Sequence, residues 1–328
     1  MRVVAAPDKF RGTATAAEVA AAVGRAASAA GWRCDEIPLA DGGEGTLDVL
    51  GGANRTTLVA GPLGDPIDAP WRLFRGRAVV EMSTASGLEL VGGAEGNDPV
   101  SASTTGTGEL IAAALDAGAR RILVGVGGSA TTDGGLGALR ALSPFARLRG
   151  VELVVACDVR TRFVDAAEVF APQKGATPSQ VELLRRRLER LAQVYEDDYG
   201  VDVRDLEGGG AAGGLAGGLA AIGARLVPGF DAVADEVELE ERLEGADLVI
   251  TGEGFLDDQS FEGKVVGGIV DMAAALGVPV LAIAGRCFDG ADARVPAVSL
   301  VDRFGEERAL GDTLACVEQV AAERLAVG

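Results

Sequence analysis

Ile122-Leu-Val-Gly-Val-Gly-Gly-Ser-Ala-Thr-Thr-Asp-Gly-Gly-Leu-Gly137 reads as a buried strand that breaks into a glycine-rich loop and then starts a helix. Small residues let a backbone approach a ligand closely, and successive N–H groups can form an anion-binding hollow. A helix opening after Asp133 would add its positive dipole end at the same place. Gly127, Gly128, Ser129 and Thr131 are therefore expected to cradle a phosphate or carboxylate. A tight turn without a ligand is the plainer alternative, but it needs fewer hydroxyl and glycine positions than occur here.

The same strand-then-loop grammar recurs on both sides. Val3–Ala6 is a short strand followed by Pro7-Asp8-Lys9-Phe10-Arg11-Gly12, and Thr15-Ala-Ala-Glu18 is a capping box that opens an Ala-rich helix. A second strand, Asp35–Leu39, ends in Ala40-Asp41-Gly42-Gly43-Glu44-Gly45, with a helix from about Thr46. Alternating strands and helices imply a parallel sheet. Residues 56–90 instead show short strands separated by turn signals, as in a mixed sheet. Thr177-Pro-Ser-Gln180 caps a charged helix to about Val194, and the Gly/Ala run 208–223 favours close helix packing over a phosphate loop. From about Asp231 the earlier style returns. A strand Asp247–Ile250 ends in Thr251-Gly-Glu-Gly254, a helix covers Val265–Leu276, and a strand Val278–Ala284 precedes Gly285-Arg286. The expected fold is α/β with two domains. A Rossmann-like parallel-sheet domain is made from both chain ends, 1–55 plus 233–328, and a mixed α/β domain, 56–232, is inserted.

Composition narrows the chemistry. A chain of 328 residues exceeds what one core usually serves. The net charge of −19 argues against nucleic acid or an anionic membrane as partner. No apolar run approaches the ~20 residues of a membrane span, and Met1-Arg2 does not open a secretory signal, so a soluble, cytoplasmic protein is expected. The four cysteines are scattered, which disfavours a disulfide frame or zinc site. There is no histidine. That removes Ser-His-Asp and Cys-His triads, leaves proton transfer to a carboxylate, Lys or Tyr, and restricts any metal to a hard, oxygen-bound ion such as Mg²⁺.

Polar residues collect after strand upon strand: Asp8, Lys9 and Arg11, then Asp41 and Glu44, then Ser129, Thr131 and Asp133, then Asp158, then Thr251 and Glu253, then Arg286. Ligands of α/β sheets bind outside the carboxyl ends of the strands. One such carboxylate is usually a helix cap; the repetition points to a site. Carboxylates, cations and glycine loops without histidine suit phosphoryl transfer with Mg²⁺. Gly263-Lys264 lacks the rest of a Walker A loop, and Gly125-Val-Gly-Gly-Ser-Ala130, though it fits a dinucleotide turn, ranks below the kinase reading.

These residues, taken together, resemble the bacterial glycerate kinases of the glyoxylate- and glucarate-pathway type. The shared blocks are Ala6-Pro-Asp8-x-Phe10, Ala40-Asp-Gly-Gly-Glu-Gly45, Thr105-Gly-Thr-Gly-Glu-Leu-Ile111 and Gly125-x-Gly-Gly-Ser-Ala-Thr-x-Asp-Gly-Gly135. They continue through Ala156-Cys-Asp-Val159, Pro172-Gln-Lys-Gly-Ala176, Ala211-Ala-Gly-Gly-Leu215, Ala246-Asp-Leu-Val-Ile-Thr-Gly-Glu-Gly254, and Asp257-x-Gln259 with Gly263-Lys264. The resemblance implies ATP-dependent phosphorylation of D-glycerate, to 2-phosphoglycerate, in a cleft between the two domains. Asp8, Asp41, Asp133 and Glu253 become candidates for Mg²⁺ binding and for accepting the hydroxyl proton, with Asp41, Asp133 and Glu253 as the metal ligands. Lys9, Arg11 and Lys264 would meet the glycerate carboxylate and phosphate. The Gly127–Thr131 loop, with Thr251, Glu253, Asp257 and Gln259, would bind the nucleotide. The expected partner is a small hydroxy acid, and the expected assembly a homodimer. Lys9 and Arg11 stand where the family reads Ser and Lys, Phe255 stands where it reads Arg, and the chain is trimmed near Leu142–Leu148 and after Asp158. These departures keep open a kinase of another small hydroxy acid, and a non-catalytic nucleotide- or sugar-acid-binding regulator.

Overall fold

A computed structural model describes residues 1–288 and 290–326. Its strands, in chain order, are β1 (Arg2–Ala5), β2 (Arg33–Glu36), β3 (Arg55–Ala60), β4 (Pro66–Phe74), β5 (Arg77–Glu81), β6 (Arg121–Gly125), β7 (Glu152–Ala156), β8 (Arg225–Val227), β9 (Leu248–Leu256), β10 (Val280–Cys287) and β11 (Ala297–Ser299). The chain folds into two units, residues 1–41 with 233–328, and residues 42–232.

In the unit that holds both chain ends, the sheet runs β11-β10-β9-β1-β2, and every pair is parallel. Its inner strands are continuous apolar runs because both faces are covered: Val3–Ala5, Leu248–Ile250 and Ala282–Ala284 are buried. The helix Ala16–Ala29 starts where expected, with the Thr15 side chain accepting from Glu18 N and Glu18 answering at Thr15 N. It turns Val19, Val23 and Ala27 into a core shared with Val317 and Val320 of the closing helix Thr313–Ala326.

The other unit has the order β3-β4-β5-β6-β7-β8, antiparallel from β3 to β5 and parallel from β5 to β8. Its core gathers Val80, Ile122, Val124 and Val155 of the sheet with Leu110, Leu184, Leu188 and Leu215 of the helices. The fold is thus mixed α/β, with one parallel and one mixed sheet.

Four expectations are corrected. The first unit ends at Asp41 rather than near residue 56. The helix Thr46–Val49 belongs with the second unit, where the buried Glu81 carboxylate accepts from Leu47 N at 2.6 Å. Strand β9 does not stop before Thr251-Gly-Glu-Gly254 but passes through it. Gly252 looks like a strand terminator, yet it lies so close to β10 that a Cβ there would sit 2.0 Å from Ile283 O, so the glycine serves close pairing. The 208–223 run is not a plain packing helix. It opens with Ala212, Gly213 and Gly214 at φ 52°, 66° and 93° before turning right-handed. The charged helix that starts at Pro178 continues beyond Val194 to Tyr199. Among the described residues no helix is long and apolar enough to cross a membrane.

Candidate active site

The carboxylates of the first unit are placed by hydrogen bonding that outlasts the regular strands. Beyond the end of β1, Ala6 N donates to Ile250 O and Asp8 N to Gly252 O, both at 2.8 Å. On the other side Ile37 N donates to Ala5 O and Leu39 N to Pro7 O. This ladder carries Asp8 alongside Glu253 of β9 and leads the chain on to Asp41. Burial, with the Asp41 charge, pushes the Asp8 carboxyl up to about 6, against the Lys9 N–H at 2.6 Å and the Lys9 and Arg11 cations. Burial likewise pushes Glu253 up to about 7, with Asp8 and Asp257 adding and Ser260 and Lys264 opposing. Glu253 Oε1 is buried without a hydrogen-bond partner. Crowded carboxylates with an orphaned buried oxygen fit a bound cation, which would satisfy the oxygen and relieve the repulsion.

Other expected residues of this unit have local duties. Thr251 is buried and its Oγ1 donates to Ala6 O at 2.8 Å, so it ties β9 to β1. Asp257 caps the short turn Asp258–Phe261, accepting from Ser260 N at 3.1 Å. Gln259 and Arg11 are exposed, and Lys264 is half-buried at the N-cap of the helix Val265–Leu276. Arg286 pairs with Glu306 at 3.0 Å. Phe255 is 54% exposed and lies tilted against Phe288, ring centroids 6.2 Å apart.

In the second unit, β6 ends at Gly125, the loop follows, and a helix covers Leu136–Leu142, in the expected order. The loop is pinned along its length: Leu88 N donates to Gly128 O, Ala130 N to Ser86 O, and Gly134 N to Gly213 O. Into it projects Lys174, only 2% exposed, whose Nζ donates to Ser129 Oγ at 2.8 Å and to Thr131 O at 2.6 Å. Burial pulls this ammonium down to about 7, and the Asp133 charge only partly restores it. Gly127, Gly128, Ser129, Lys174, Phe170 and Ala212 line a cavity of about 370 Å³. The anion hollow expected from the glycines thus gains a buried cation. The sequence shows Lys174 only inside the shared block Pro172-Gln-Lys-Gly-Ala176, which by itself gives it no role.

Asp133 braces the loop through several hydrogen bonds. Its Oδ2 accepts from Thr104 N and Thr104 Oγ1, both at 2.9 Å, and from Gly137 N at 3.1 Å, while Oδ1 accepts from Gly135 N at 3.1 Å. Those bonds join the starts of the helices Thr105–Asp116 and Leu136–Leu142 and fill Oδ2, whereas Oδ1 accepts a single bond and keeps a lone pair for a cation or a proton. Asp158 is similarly employed, accepting from Gly229 N at 2.6 Å.

The model of the Glycerate kinase family matches residues 3–146 and 143–323. A protein named glycerate kinase from Bacillus subtilis is 41% identical over 87% of this chain and 85% of its own length. The glycerate 2-kinase of Escherichia coli is 37% identical over 88% of this chain and 86% of its own. A crystal structure described as that of a candidate glycerate kinase 2 from Salmonella typhimurium superposes with a TM-score of 0.87 at 36% identity, covering 100% of this chain and 98% of that one. With the family matched along nearly the whole chain, the protein belongs to the glycerate kinase family and is a phosphotransferase acting on a hydroxyl group.

Proposed function

We propose that the chain transfers the terminal phosphoryl group of ATP to D-glycerate, giving 2-phosphoglycerate. The names of the relatives from Bacillus subtilis and Escherichia coli support the acceptor, and the latter supports the position. The observation that carries the reading is the buried Lys174 ammonium set against the glycine loop, which is suited to an anionic group. As burial holds Lys174 near 7, an arriving phosphate or carboxylate favours its charged form and draws in a proton.

Asp41 and Glu253 would hold Mg²⁺, which when bound neutralises charge on the donor phosphates. Among the described residues no group of three His, Cys, Asp or Glu is arranged as a metal cage. A hard ion held by one or two carboxylates completes its shell with water and phosphate oxygens. Without histidine the substrate hydroxyl must give its proton to another group, and in this reading Asp8, pushed up to about 6 by burial, accepts it. The hydroxyl oxygen then bonds to the terminal phosphorus, and ADP leaves with the electrons of the broken P–O bond. Lys9 and Arg11 supply positive charge beside Asp8 for the glycerate carboxylate; Arg11 meets it as a planar fork rather than a point charge. The test is to incubate the protein with ATP, Mg²⁺ and D-glycerate, measure ADP, and assign the product by ³¹P NMR. A 3-phosphoglycerate signal would overturn the product, and ADP formation only with a different hydroxy acid would overturn the acceptor.

A further inference from the structure

Two glycine loops of the second unit meet backbone to backbone. The first, Gly42-Gly-Glu-Gly45, follows Asp41 in the chain, and the second begins at Gly125, where β6 ends. A Cβ on Gly125 would lie 2.8 Å from Gly42 O, and one on Gly127 would lie 3.3 Å from Gly43 Cα. A side chain at Gly125 would therefore push the loops apart.

Glu81 is tied to both loops. It is the last residue of β5, its main chain lies beside Gly125 in the parallel β5–β6 register, and Met82 N donates to Gly125 O at 3.0 Å. Its carboxylate accepts from Leu47 N at 2.6 Å, and the Gly45 N–H also favours its charged form. Those N–H groups stand at the start of the helix Thr46–Val49, directly behind the first loop. Thr46 closes that loop, its Oγ1 donating to Gly43 O at 2.7 Å. One residue thus holds one loop by its main chain and the other by its side chain.

The carboxylate stands there at a cost. Glu81 is 6% exposed, and among the described residues no Lys or Arg pairs with it. Burial pushes its carboxyl above the usual range, with the Asp48 and Glu44 charges adding and the Leu47 and Gly45 N–H groups opposing. A buried carboxylate without a cation is an unfavourable way to close a helix of four residues. What the charge supplies is a tight grip: an ionised acceptor makes the shorter, stronger hydrogen bond, which draws the first loop onto the second.

We propose that Glu81 is a positioning residue for phosphoryl transfer. It fixes the spacing between the Gly42–Gly45 loop and the Gly125–Gly127 segment, and through it the alignment of the Gly127–Ser129 backbone with Lys174. Glu81 lies outside the lining of the anion hollow and acts only through these loops. The assignment rests on the phosphotransferase reading above and adds a residue to it.

Two variants test it. Glu81→Gln keeps the size of the side chain, but its amide nitrogen cannot accept an N–H, and Gly125→Ala forces the loops apart directly. Each variant and the double variant are assayed for kcat and KM with ATP, Mg²⁺ and D-glycerate, and amide hydrogen exchange is followed by mass spectrometry without substrates. Glu81→Gln is expected to lower kcat about tenfold per folded molecule, less than the ~100-fold that a full 1 Å misplacement can cost. Exchange should quicken in both segments, 42–47 and 126–131. The double variant should be little worse than the poorer single one, because both changes act on the same spacing. A kcat within twofold of normal in Glu81→Gln, effects that multiply in the double variant, or faster exchange confined to 42–47 overturns the proposal and leaves Glu81 a helix cap. Should Gly125→Ala not fold, the kcat and exchange of Glu81→Gln decide. If the unaltered protein forms no ADP with any hydroxy acid, the phosphotransferase reading fails; quickened exchange in both segments would still sustain the loop spacing, and exchange confined to 42–47 would end it.

Discussion

Lys174 donates to the Ser129 hydroxyl at 2.8 Å from a position almost closed to solvent, so the loop that follows β6 is built around a buried ammonium. Nζ also reaches Thr131 O, and the Phe170 ring stands 6.0 Å away. Among the described residues no carboxylate pairs with it, which makes the cation available to an incoming anion.

Replacing Lys174 with methionine should therefore remove anion capture while preserving most of the packing. ADP formation is expected to fall by about 100-fold or more, the scale of losing a stabilising cation in a dry site. Far-ultraviolet circular dichroism should be unchanged. Lys174→Arg should not restore activity, since the guanidinium cannot occupy a pocket shaped for a single Nζ. Turnover within threefold of normal in the methionine variant would remove Lys174 from the site.

The same residue sets a pH dependence of stability. Its folded pKa is about 7 against an ordinary value of 10.5. Between those values the unfolded chain binds more protons than the folded one, so stability from this group rises with pH from about 7 to 10.5. It reaches its lowest level below 7, where the buried site must carry the charge. One proton bounds the slope at about 1.4 kcal/mol per pH unit. Urea unfolding at several pH values should show a shallower rise between pH 7 and 10 for Lys174→Met than for the unaltered chain.

Asp133→Asn distinguishes a brace from a metal ligand. An amide cannot accept all four short hydrogen bonds, and the loss should be roughly 1–3 kcal/mol, lowering Tm by several degrees. The Mg²⁺ concentration for half-maximal activity should not move. A large rise in that concentration with unchanged Tm would restore the metal role.

For Glu253→Gln the expected pattern is the reverse. The side chain is half-buried and crowded by Asp8, and its Oε1 is buried without a partner. Neutralising it should relieve repulsion in the metal-free protein and hold or raise Tm. The Mg²⁺ requirement for ADP formation should rise about tenfold or more, consistent with loss of one of very few protein ligands. Unchanged Mg²⁺ dependence would place the ion elsewhere.

The left-handed turn gives a paired test. A Cβ on Gly213 would lie 2.0 Å from Thr131 O at a φ of 66°, so Gly213→Ala should destabilise by roughly 2 kcal/mol or more and disturb the loop. Its neighbour Ala212 already bears a side chain at a φ of 52°, and Ala212→Gly should relieve about 1 kcal/mol of strain. Thermal unfolding of both variants measures the contrast.

Much of the fold was legible because its signals are local. The Thr15 and Thr177 capping boxes, the helix Val265–Leu276 and the strand–loop–helix order after Ile122 depend on side chains within a few positions of one another. Errors arose where glycine carries two meanings. Gly252 reads as an end and serves a close strand pair, whereas Gly213 reads as helix packing and serves a left-handed turn.

The amino-acid sequence by itself determined the chemical vocabulary: no histidine, carboxylates and cations after successive strands, and glycine loops fit for anions. Tertiary structure alone decided which of those groups are spent on folding and which remain available. Asp133, Asp158, Asp257 and Thr251 are tied into the fold by hydrogen bonds, while Lys174 is buried and Glu253 half-buried without the partners their charges require. The reason is physical: a side chain's reactivity depends on its desolvation and on the donors and acceptors that distant segments bring to it. Neither is written in its immediate neighbours along the chain.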